Sequence, residues 1–283
     1  MEGKLRVGVI GCGEISSNHV LGYLNSARYE IVALADLSEQ AMHDFDKQFS
    51  EHDDYKPEHF TDAREMLEKS ELDVVSVGVW DMGHAPMTIA AAASGVKAIL
   101  CEKPMSDTTG SAADMMLVCR RNGVKLAIGH QRRFLPAYNL AKQMIGDGEI
   151  GEPRLITTAA RDGLPNYSSH LADMYRYLLG DPECVWVMGN VERETDQWAR
   201  AIPIEDKAFA VFGFDNGAQA MILSGLTSEH GFGARIYGSD GMIELSVDDL
   251  KIMNSKSDGW QEHKPDGDFA KYGFDNFEMI EAG

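Results

Sequence analysis

Lys103 is the side chain whose position first indicates chemistry. It lies in C-E-K-P-M, residues 101–105, directly after a predicted strand. In open parallel sheets, ligands bind beyond the carboxyl ends of the strands, so a lysine at this point is directed toward a ligand. Because proline fixes φ and removes an N–H donor, Pro104 would hold the Lys103 ammonium in a stiff turn. A surface lysine before a loop that begins with proline is the alternative interpretation.

His170 and Asp173 bring an imidazole and a carboxylate together on a predicted helix. At about 100° per residue they share a face with Tyr177, beside an apolar stripe. The stripe consists of Leu171, Met174, Tyr175 and Leu178. A serine at 168–169 is expected to cap the helix, and Gly180 to end it. Histidine suits the removal of a hydroxyl proton near neutral pH, although a helix histidine with a local aspartate partner is often only structural.

A glycine-rich turn from strand to helix opens the chain, with V-G-V-I-G-C-G-E-I-S over residues 7–16. Gly11 permits a tight turn, and Gly13 lets a pyrophosphate approach the backbone before a helix that starts near Glu14. Asp36 ends the next strand, where a carboxylate accepts hydrogen bonds from adenosine ribose hydroxyls and repels the 2′-phosphate of NADP(H). The spacing predicts an NAD(H) site, with a structural turn and a solvated Asp36 as alternatives.

Up to residue 130, apolar strands alternate with helical segments. The predicted strands are Arg6–Ile10, Ile31–Ala35, Asp73–Val79, Ala98–Glu102 and Lys125–Gly129, and helices are expected over Ser38–Phe49 and Met87–Ser94. This β-α-β spacing predicts an α/β Rossmann domain over residues 1–130, with a doubly wound parallel sheet between helices.

Residues 131–283 are predicted to form an α+β domain with a mainly antiparallel sheet. Its expected elements are a helix over Pro136–Ile145, a strand over Leu155–Ala160 and the helix that carries His170. D-N-G at 215–217 and G-S-D-G at 238–241 predict turns between pairs of later strands.

The composition is that of a soluble globular protein, with 44% hydrophobic and 25% charged residues over 283 positions. A net charge of −19 opposes binding to nucleic acid or an anionic membrane surface. No apolar run is long enough to cross a bilayer and no signal peptide precedes the first strand, so a cytoplasmic protein is expected. The four cysteines are widely spaced and the nine histidines form no metal-binding pattern, so neither disulfides nor a metal site is predicted.

Together these motifs resemble the Gfo/Idh/MocA family, which includes glucose–fructose oxidoreductase and inositol dehydrogenase. The resemblance rests on G-x-G-x-x-S at 11–16, Asp36, His84, E-K-P at 102–104, Q-R-R-F at 131–134 and the helix around His170. It implies NAD-dependent, or less favourably NADP-dependent, oxidation or reduction at a secondary alcohol of a sugar, sugar derivative or polyol. It also implies that Lys103 binds the reacting hydroxyl and that His170 is the general base or acid.

Two sets of binding residues follow from the motifs and the resemblance. The expected cofactor contacts are Gly11, Gly13, Glu14, Ile15, Asp36, Trp80, His84, Glu102, Lys103 and Gln131. The expected substrate contacts are Lys103, Arg161, Asn166, Tyr167, His170 and Asp173.

Three features depart from the family pattern. Asn166 stands where many relatives carry an aspartate, and an amide orients an imidazole without stabilising its charged form as a carboxylate does. V-W-D at 79–81 replaces the common T-P-N, so that Trp80 would pack either on the cofactor or in the core. Residues 274–280 resemble the start of a helix that relatives continue beyond the position of Gly283. This is expected if the sequence is truncated or is that of a naturally short family member.

Two other functions fit the resemblance. Some relatives are NAD-dependent glycosidases, which oxidise a sugar transiently and cleave a glycosidic bond with no net change in NADH. Others bind the cofactor as regulatory proteins without turnover; Lys103 and His170 argue against this role, whereas Asn166 leaves it open. The sequence does not specify the sugar or the direction of the reaction.

The strands of the second domain predict self-association. Along residues 208–214 and 184–188 neither alternate set of side chains is polar, so both faces of these strands favour burial. The helix that carries His170 would cover one face, and a symmetric partner sheet would cover the other in a dimer or tetramer. In the alternative interpretation, residues 246–283 of the same chain cover that second face.

Overall fold

The structure is a computed structural model that describes residues 3–160, 163–199, 202–227 and 231–265, apart from the side chain of Asn166. Contacts divide the chain into two units, one built on Met1–Gln131 and the other on Arg132–Phe269. Arg161 and the expected helix over residues 274–280 lie outside the described residues. None of the described helices has both the length and the apolarity that a membrane span requires.

The first unit has a six-stranded parallel sheet in the order β3-β2-β1-β4-β5-β6. Its strands are β1 (Leu5–Ile10), β2 (Tyr29–Ala35), β3 (Glu58–Phe60), β4 (Val74–Val77), β5 (Ala98–Cys101) and β6 (Lys125–Ile128). Its helices are α1 (Glu14–Leu24), α2 (Glu39–Asp46), α3 (Ala63–Lys69), α4 (Asp81–Ala93) and α5 (Thr109–Asn122). The strand order reverses between β1 and β4, so this is the predicted Rossmann fold, which binds dinucleotides at that crevice.

The central strands carry continuous apolar runs because both of their faces are buried. Val7, Val9, Val75 and Val77 are fully buried. Two element predictions for this unit were wrong. The three residues of β3 at the sheet edge were missed because so short a strand has no detectable period. Helix α4 was predicted to start at Met87, after Pro86, because proline disfavours a helix interior, but it begins at Asp81 and contains Pro86.

The second unit has an eight-stranded sheet in the order β16-β15-β14-β13-β7-β12-β11-β8. All neighbouring pairs are antiparallel except β7 and β12, which confirms the mainly antiparallel sheet. The strands of this unit, of which all but β9 and β10 belong to the eight-stranded sheet, are β7 (Pro153–Ala160), β8 (Cys184–Glu192), β9 (Trp198–Ala199), β10 (Ile202–Pro203), β11 (Lys207–Phe214), β12 (Gln219–Ser224), β13 (Ala234–Gly238), β14 (Gly241–Leu245), β15 (Leu250–Asn254) and β16 (Gln261–His263). Its helices are α6 (Pro136–Gly146) and α7 (Leu164–Leu178), and β9 pairs with β10 in a separate ladder.

Helix α7 covers one face of this sheet with the predicted apolar stripe. The stripe residues Leu171, Met174, Tyr175 and Leu178 are all buried. The Tyr175 hydroxyl shares a hydrogen bond with Thr158 of β7, and its ring lies 5.8 Å from that of Phe212 in β11. These contacts confirm the helix face that the periodicity predicts.

The N-terminus of α7 differs from the prediction. The helix begins at Leu164 with Gly163 as its N-cap, so capping by a serine at 168–169 was wrong. The Leu164 N–H donates to the Glu205 carboxylate at 2.7 Å, so a residue distant in sequence satisfies the helix terminus. Gly180, with a φ of +83°, follows the last turn as predicted.

Candidate functional site

Gly11 and Gly13 form the turn between β1 and α1. Gly11 has a φ of +94°, and a Cβ there would lie 2.6 Å from the Gly78 carbonyl oxygen, so this position requires glycine. At Gly13 nothing lies within 4 Å of a Cβ position, which leaves the backbone open to approach. Gly13 is also the N-cap of α1, so the first-turn N–H groups, beginning with those of exposed Glu14 and half-buried Ile15, could bind an anion. These residues fit a dinucleotide pyrophosphate.

Ser16 occupies the position of the third glycine of the motif and is fully buried. A Cβ on Gly78 would lie 2.1 Å from the Ser16 Oγ, so a glycine in the loop after β4 provides the space that the serine fills. Helix α1 therefore still packs closely on the sheet, because the glycine at this contact is Gly78 rather than the residue at position 16.

Asp36 follows β2 and lies against the glycine turn. Its Oδ2 accepts the Cys12 backbone N–H and its Oδ1 accepts that of Ser38, both at 2.9 Å. Burial and the negative charges of Asp36 and Asp46 raise the pKa of the Cys12 thiol to about 12, so Cys12 stays a neutral thiol near pH 7. The carboxylate of Asp36 is thus oriented at the strand end where a ribose contact is predicted.

Lys103 follows β5 and is half-buried, and Glu102 anchors its backbone. The Lys103 N–H donates to Glu102 Oε2 at 3.0 Å, and Glu102 Oε1 lies 3.1 Å from Nε2 of His19 in α1. The other ring nitrogen of His19 lies 3.2 Å from the Ser76 Oγ, which also bonds the Tyr23 hydroxyl at 2.9 Å. This network ties the start of the E-K-P turn to α1 and β4.

Glu102 and His19 form a pair that is shut off from solvent, with exposures of 3% and 0%. Burial by itself disfavours the carboxylate, but the hydrogen bonds with His19 and with the Lys103 N–H outweigh it and hold the pKa of Glu102 below its ordinary value. Gly129 leaves room for the pair, because a Cβ there would lie 2.5 Å from Glu102 Oε1. The described contacts of Glu102 position Lys103, and its predicted contact with the cofactor stays a prediction.

His84 joins the loop after β4 to the E-K-P turn. Its Nδ1 lies 2.7 Å from the carbonyl oxygen of Pro104, and its Nε2 lies 2.9 Å from that of Val79. The ring is buried, and the Lys103–Pro104 peptide bond beside it is cis. These described contacts of His84 brace the turn, so its predicted cofactor contact also stays a prediction.

Trp80 and Gln131 follow β4 and β6 on the side of the sheet where ligands bind. Trp80 is 68% exposed, which excludes its interpretation as a core residue. The Gln131 Oε1 is buried and has no hydrogen-bond partner among the described residues. Both side chains are therefore available to a ligand of the first unit.

His170 and Tyr167 of α7 pack around Phe232 in the second unit. The Tyr167 ring stacks on Phe232 with 4.3 Å between centroids, and the His170 ring meets its edge at 5.3 Å. The Arg132 guanidinium carbon lies 3.0 Å from the centroid of the same ring. His170 is 6% exposed, so its imidazole lies in a mainly aromatic environment.

Arg132 adds two donors to this cluster. Its Nε and Nη1 are buried and have no hydrogen-bond partner in the part of the chain that the structure describes. Burial lowers the pKa of the guanidinium, which nevertheless remains a cation near pH 7 because the ordinary pKa of arginine is above 12. A buried donor without a partner is unfavourable, so these N–H groups suit a polar ligand.

Asp173 is bound by Arg133 in the structure. The Arg133 Nε and Nη2 lie 2.7–3.0 Å from the two Asp173 oxygens, and Nη2 reaches Asp181 at 3.2 Å. The hydrogen bonds with Asp173 raise the pKa of Arg133. The Tyr177 ring lies 5.3 Å from the same guanidinium. The substrate contact predicted for Asp173 therefore stays a prediction, and its described partner is a cation.

Sequence reasoning missed His19, Glu205 and the pairing of Arg132 with Phe232. A signal for His19 was present, because Ser16, His19 and Tyr23 are polar side chains at helical spacing on the face of α1 that should pack on the sheet. No comparable local signal marks Glu205 or Phe232. Lys103 lies in the first unit and His170 in the second.

Comparison with known proteins gives two family matches. Residues 5–130 match the oxidoreductase family with an NAD-binding Rossmann fold, and residues 138–244 match the Gfo/Idh/MocA C-terminal domain. D-apiose dehydrogenase of Paraburkholderia graminis is 26% identical over 275 residues, which cover 89% of this chain and 70% of that protein. Myo-inositol 2-dehydrogenase of Thermotoga maritima is 27% identical over 256 residues, which cover 84% of this chain and 74% of that protein.

A solved structure shares the fold of the whole chain. Levoglucosan dehydrogenase in complex with NADH and levoglucosan aligns with a TM-score of 0.81 at 20% identity, covering 99% of this chain and 88% of that chain. The two family matches lie on the two units of the structure and span most of the sequence. This chain therefore belongs to the Gfo/Idh/MocA family of NAD-binding oxidoreductases.

Proposed function

We propose that this chain is an NAD-dependent dehydrogenase or reductase that acts on a secondary alcohol, or the corresponding ketone, of a sugar, sugar derivative or polyol. The observation that carries the proposal is the buried pair of Glu102 and His19, which anchors the backbone of Lys103 at the ligand end of the sheet. Burying such a pair is costly, and a lysine that serves only as a solvated surface group does not need it. The names of the D-apiose, myo-inositol and levoglucosan dehydrogenases support the substrate class.

His170 and Lys103 have separate tasks in this proposal. His170 takes the proton of the reacting hydroxyl, or returns it in the reverse direction. Lys103 donates an N–H to the substrate and stabilises the negative charge that develops on its oxygen. NAD supplies or accepts the hydride when it is bound, with its pyrophosphate held at Gly11 and Gly13 and its adenosine ribose at Asp36.

The residues near His170 suit a ligand rich in hydroxyl groups. Arg132 offers its two buried N–H groups, and Tyr167 lies on the same aromatic cluster. Because a site that hydrogen-bonds hydroxyls rejects analogues without them, these side chains would discriminate among polyols by their stereochemistry. Arg161 and Asn166 remain proposed substrate contacts from the sequence.

Incubation of the protein with NAD⁺ and a panel of polyols, free sugars, nucleotide sugars and glycosides tests the function. Product mass spectrometry is expected to find a product that has lost two hydrogen atoms relative to its substrate, with one NADH formed per product molecule. Cleavage of a glycoside without net NADH would instead identify a glycosidase. NAD(H) binding with no product across the panel, in either direction, would favour a regulatory protein.

Replacement of Asp36 is expected to weaken the preference for NAD(H). The wild-type protein should bind NAD(H) more tightly than NADP(H), because the carboxylate repels a 2′-phosphate. Asp36→Ala should reduce the ratio of the two affinities by about tenfold or more, as removal of a charge repulsion of about 1–4 kcal/mol implies. Calorimetric titration of each protein with NAD(H) and with NADP(H) measures this ratio.

Asp36→Asn is the matched variant for this experiment. It keeps the size of the side chain and one acceptor oxygen, which can bond either the Cys12 or the Ser38 N–H, while it removes the charge. A loss of discrimination in both variants therefore assigns the effect to charge rather than to a disordered turn. Equal or tighter binding of NADP(H) by the wild-type protein would contradict the assignment of NAD(H) as the preferred cofactor.

We further propose that the protein is cytoplasmic and forms a dimer or tetramer through the open face of the second sheet. All four cysteines are free thiols, which suits a reducing compartment. Edge strand β8 exposes apolar side chains, with Val187 and Met188 each at 59%. Met188 of β8 pairs with Val211 of β11. Val211 and Phe209 lie on one face of β11, and Phe212, which contacts Tyr175 of α7, lies on the other. In the described part of the chain, residues 250–263 extend this sheet at its other edge rather than lying over the face that carries Phe209, which is 36% exposed.

Light scattering is expected to give a mass at least twice the chain mass of 31.2 kDa. Met188→Asp should shift the protein toward monomer, because an unpaired charge in a buried interface is strongly unfavourable. Leu37→Asp is the control, since Leu37 is 94% exposed in the first unit and should not affect assembly. A stable monomer in the wild-type protein would refute the proposal.

A further inference from the structure

His43, Asp46 and His59 bring three metal-ligating side chains together in the first unit, away from the Lys103 turn. Asp46 lies one helical turn after His43 on α2, and His59 lies on β3. One donor atom of each side chain lies within 4.8 Å of the other two, and within the described residues this is the one group of histidine, cysteine and acidic side chains that meets this condition. The His59 Nε2 lies 2.8 Å from Asp46 Oδ2, and the two imidazole centroids are 5.4 Å apart.

The carboxylate in this group is oriented by a buried neighbour. The Tyr55 hydroxyl donates to Asp46 Oδ1 at 2.9 Å, and this leaves Oδ2 turned toward the histidines. The ring of Tyr55 packs on Phe49 at 5.2 Å, which holds the hydroxyl in place. A hydrogen bond to the second oxygen of a ligating carboxylate is typical of metal sites.

We propose that His43, Asp46 and His59 bind a divalent transition-metal ion of the zinc class. Two imidazoles and one carboxylate suit such an ion, whereas calcium and magnesium prefer oxygen ligands alone. With metal–ligand bonds of about 2.0–2.1 Å, tetrahedral donors lie about 3.4 Å apart. The His59 and Asp46 donor atoms lie 2.8 Å apart and the His43 donor lies within 4.8 Å of both, so binding requires shifts of about 1 Å in these side chains.

Charge and position both favour a cation at this site. Asp46 is the last residue of α2, and the C-terminus of a helix carries a partial negative charge. The net charge of −19 adds a general attraction for cations. His59 pairs with Leu34 of β2, and the Asp36 N–H bonds the Phe60 carbonyl oxygen, so the ion would link α2 to the sheet edge beside Asp36.

The experiment uses the untagged full-length chain with Cys184→Ser, because Cys184 is an exposed thiol that could bind the ion separately. After treatment with a chelator and dialysis, zinc is titrated by calorimetry, and cobalt is titrated with its visible absorption as a probe of coordination. One ion per chain is expected, with cobalt bands typical of nitrogen and oxygen ligands. His43→Ala and His59→Ala should each weaken zinc binding by at least about tenfold.

His52→Ala is the matched control, since His52 is exposed and lies outside the group, and its zinc affinity should equal that of the parent protein. NAD(H) binding, measured in parallel, should persist in all variants and reports that the first unit is folded. His43 is exposed, so its replacement tests the site even if His59→Ala disturbs β3. Zinc affinity that is unchanged by His43→Ala, or the absence of one-to-one binding by the parent protein, would overturn the proposal.

Discussion

The variant His170→Asn is expected to turn over about 100-fold to 10,000-fold more slowly than the wild-type protein, while its affinity for NAD(H) stays nearly unchanged. This range is the usual contribution of a general acid or base. Asparagine retains polar atoms near the edge of Phe232 but does not accept a proton near neutral pH. Steady-state kinetics on the substrate found by the ligand panel, with cofactor titration alongside, measures both quantities.

Lys103→Ala should reduce turnover to a similar extent, because the developing negative charge would lose its cation. Lys103→Met is the informative companion, since it keeps an unbranched apolar stem of similar length and removes the charge. Lys47→Ala is a control on an exposed lysine and should leave turnover unchanged. Losses below about tenfold in the His170 and Lys103 variants would place the chemistry on other residues.

The variant His19→Ala should lower the free energy of unfolding of the first unit by about 1–3 kcal/mol, the usual cost of leaving a buried polar group without its hydrogen-bond partner. The Glu102 carboxylate would remain buried, having lost the ring that lies 3.1 Å away. Denaturant unfolding measures the change, and the exposed His52→Ala variant is the control. Because Glu102 also anchors the Lys103 N–H, turnover should fall as well.

The pH dependence of stability tests the same pair. The pKa of Glu102 is lowered in the folded protein, so the ionised carboxylate contributes stability that is present above the ordinary glutamate pKa of about 4.3. That contribution is lost as the pH falls through the lowered value. Glu102→Gln should therefore be less stable than the wild-type protein near neutral pH, with the difference shrinking in acid. A difference that is constant with pH would contradict the assignment of charge to Glu102.

Features that depend on neighbours in the chain could be predicted from the sequence alone. The turn at Gly11 and Gly13, the hairpin at 215–217 and the apolar stripe of α7 each follow from local backbone geometry or from helical period. The alternation of strands and helices likewise determined the Rossmann fold, and the E-K-P motif placed Lys103 at a strand end. These predictions needed no knowledge of which distant segments meet.

Contacts between distant segments were decided only by the tertiary structure. Ser16 fits in place of a glycine because Gly78, which it contacts, has no side chain, and α7 starts earlier than its serines suggested because Glu205 reaches its first N–H group. The group formed by His43, Asp46 and His59 likewise has no spacing motif, since β3 enters the sheet beside β2 and only then lies near α2. Side chains that meet through sheet pairing have no fixed separation in sequence, so periodicity and motif spacing carry no signal for them.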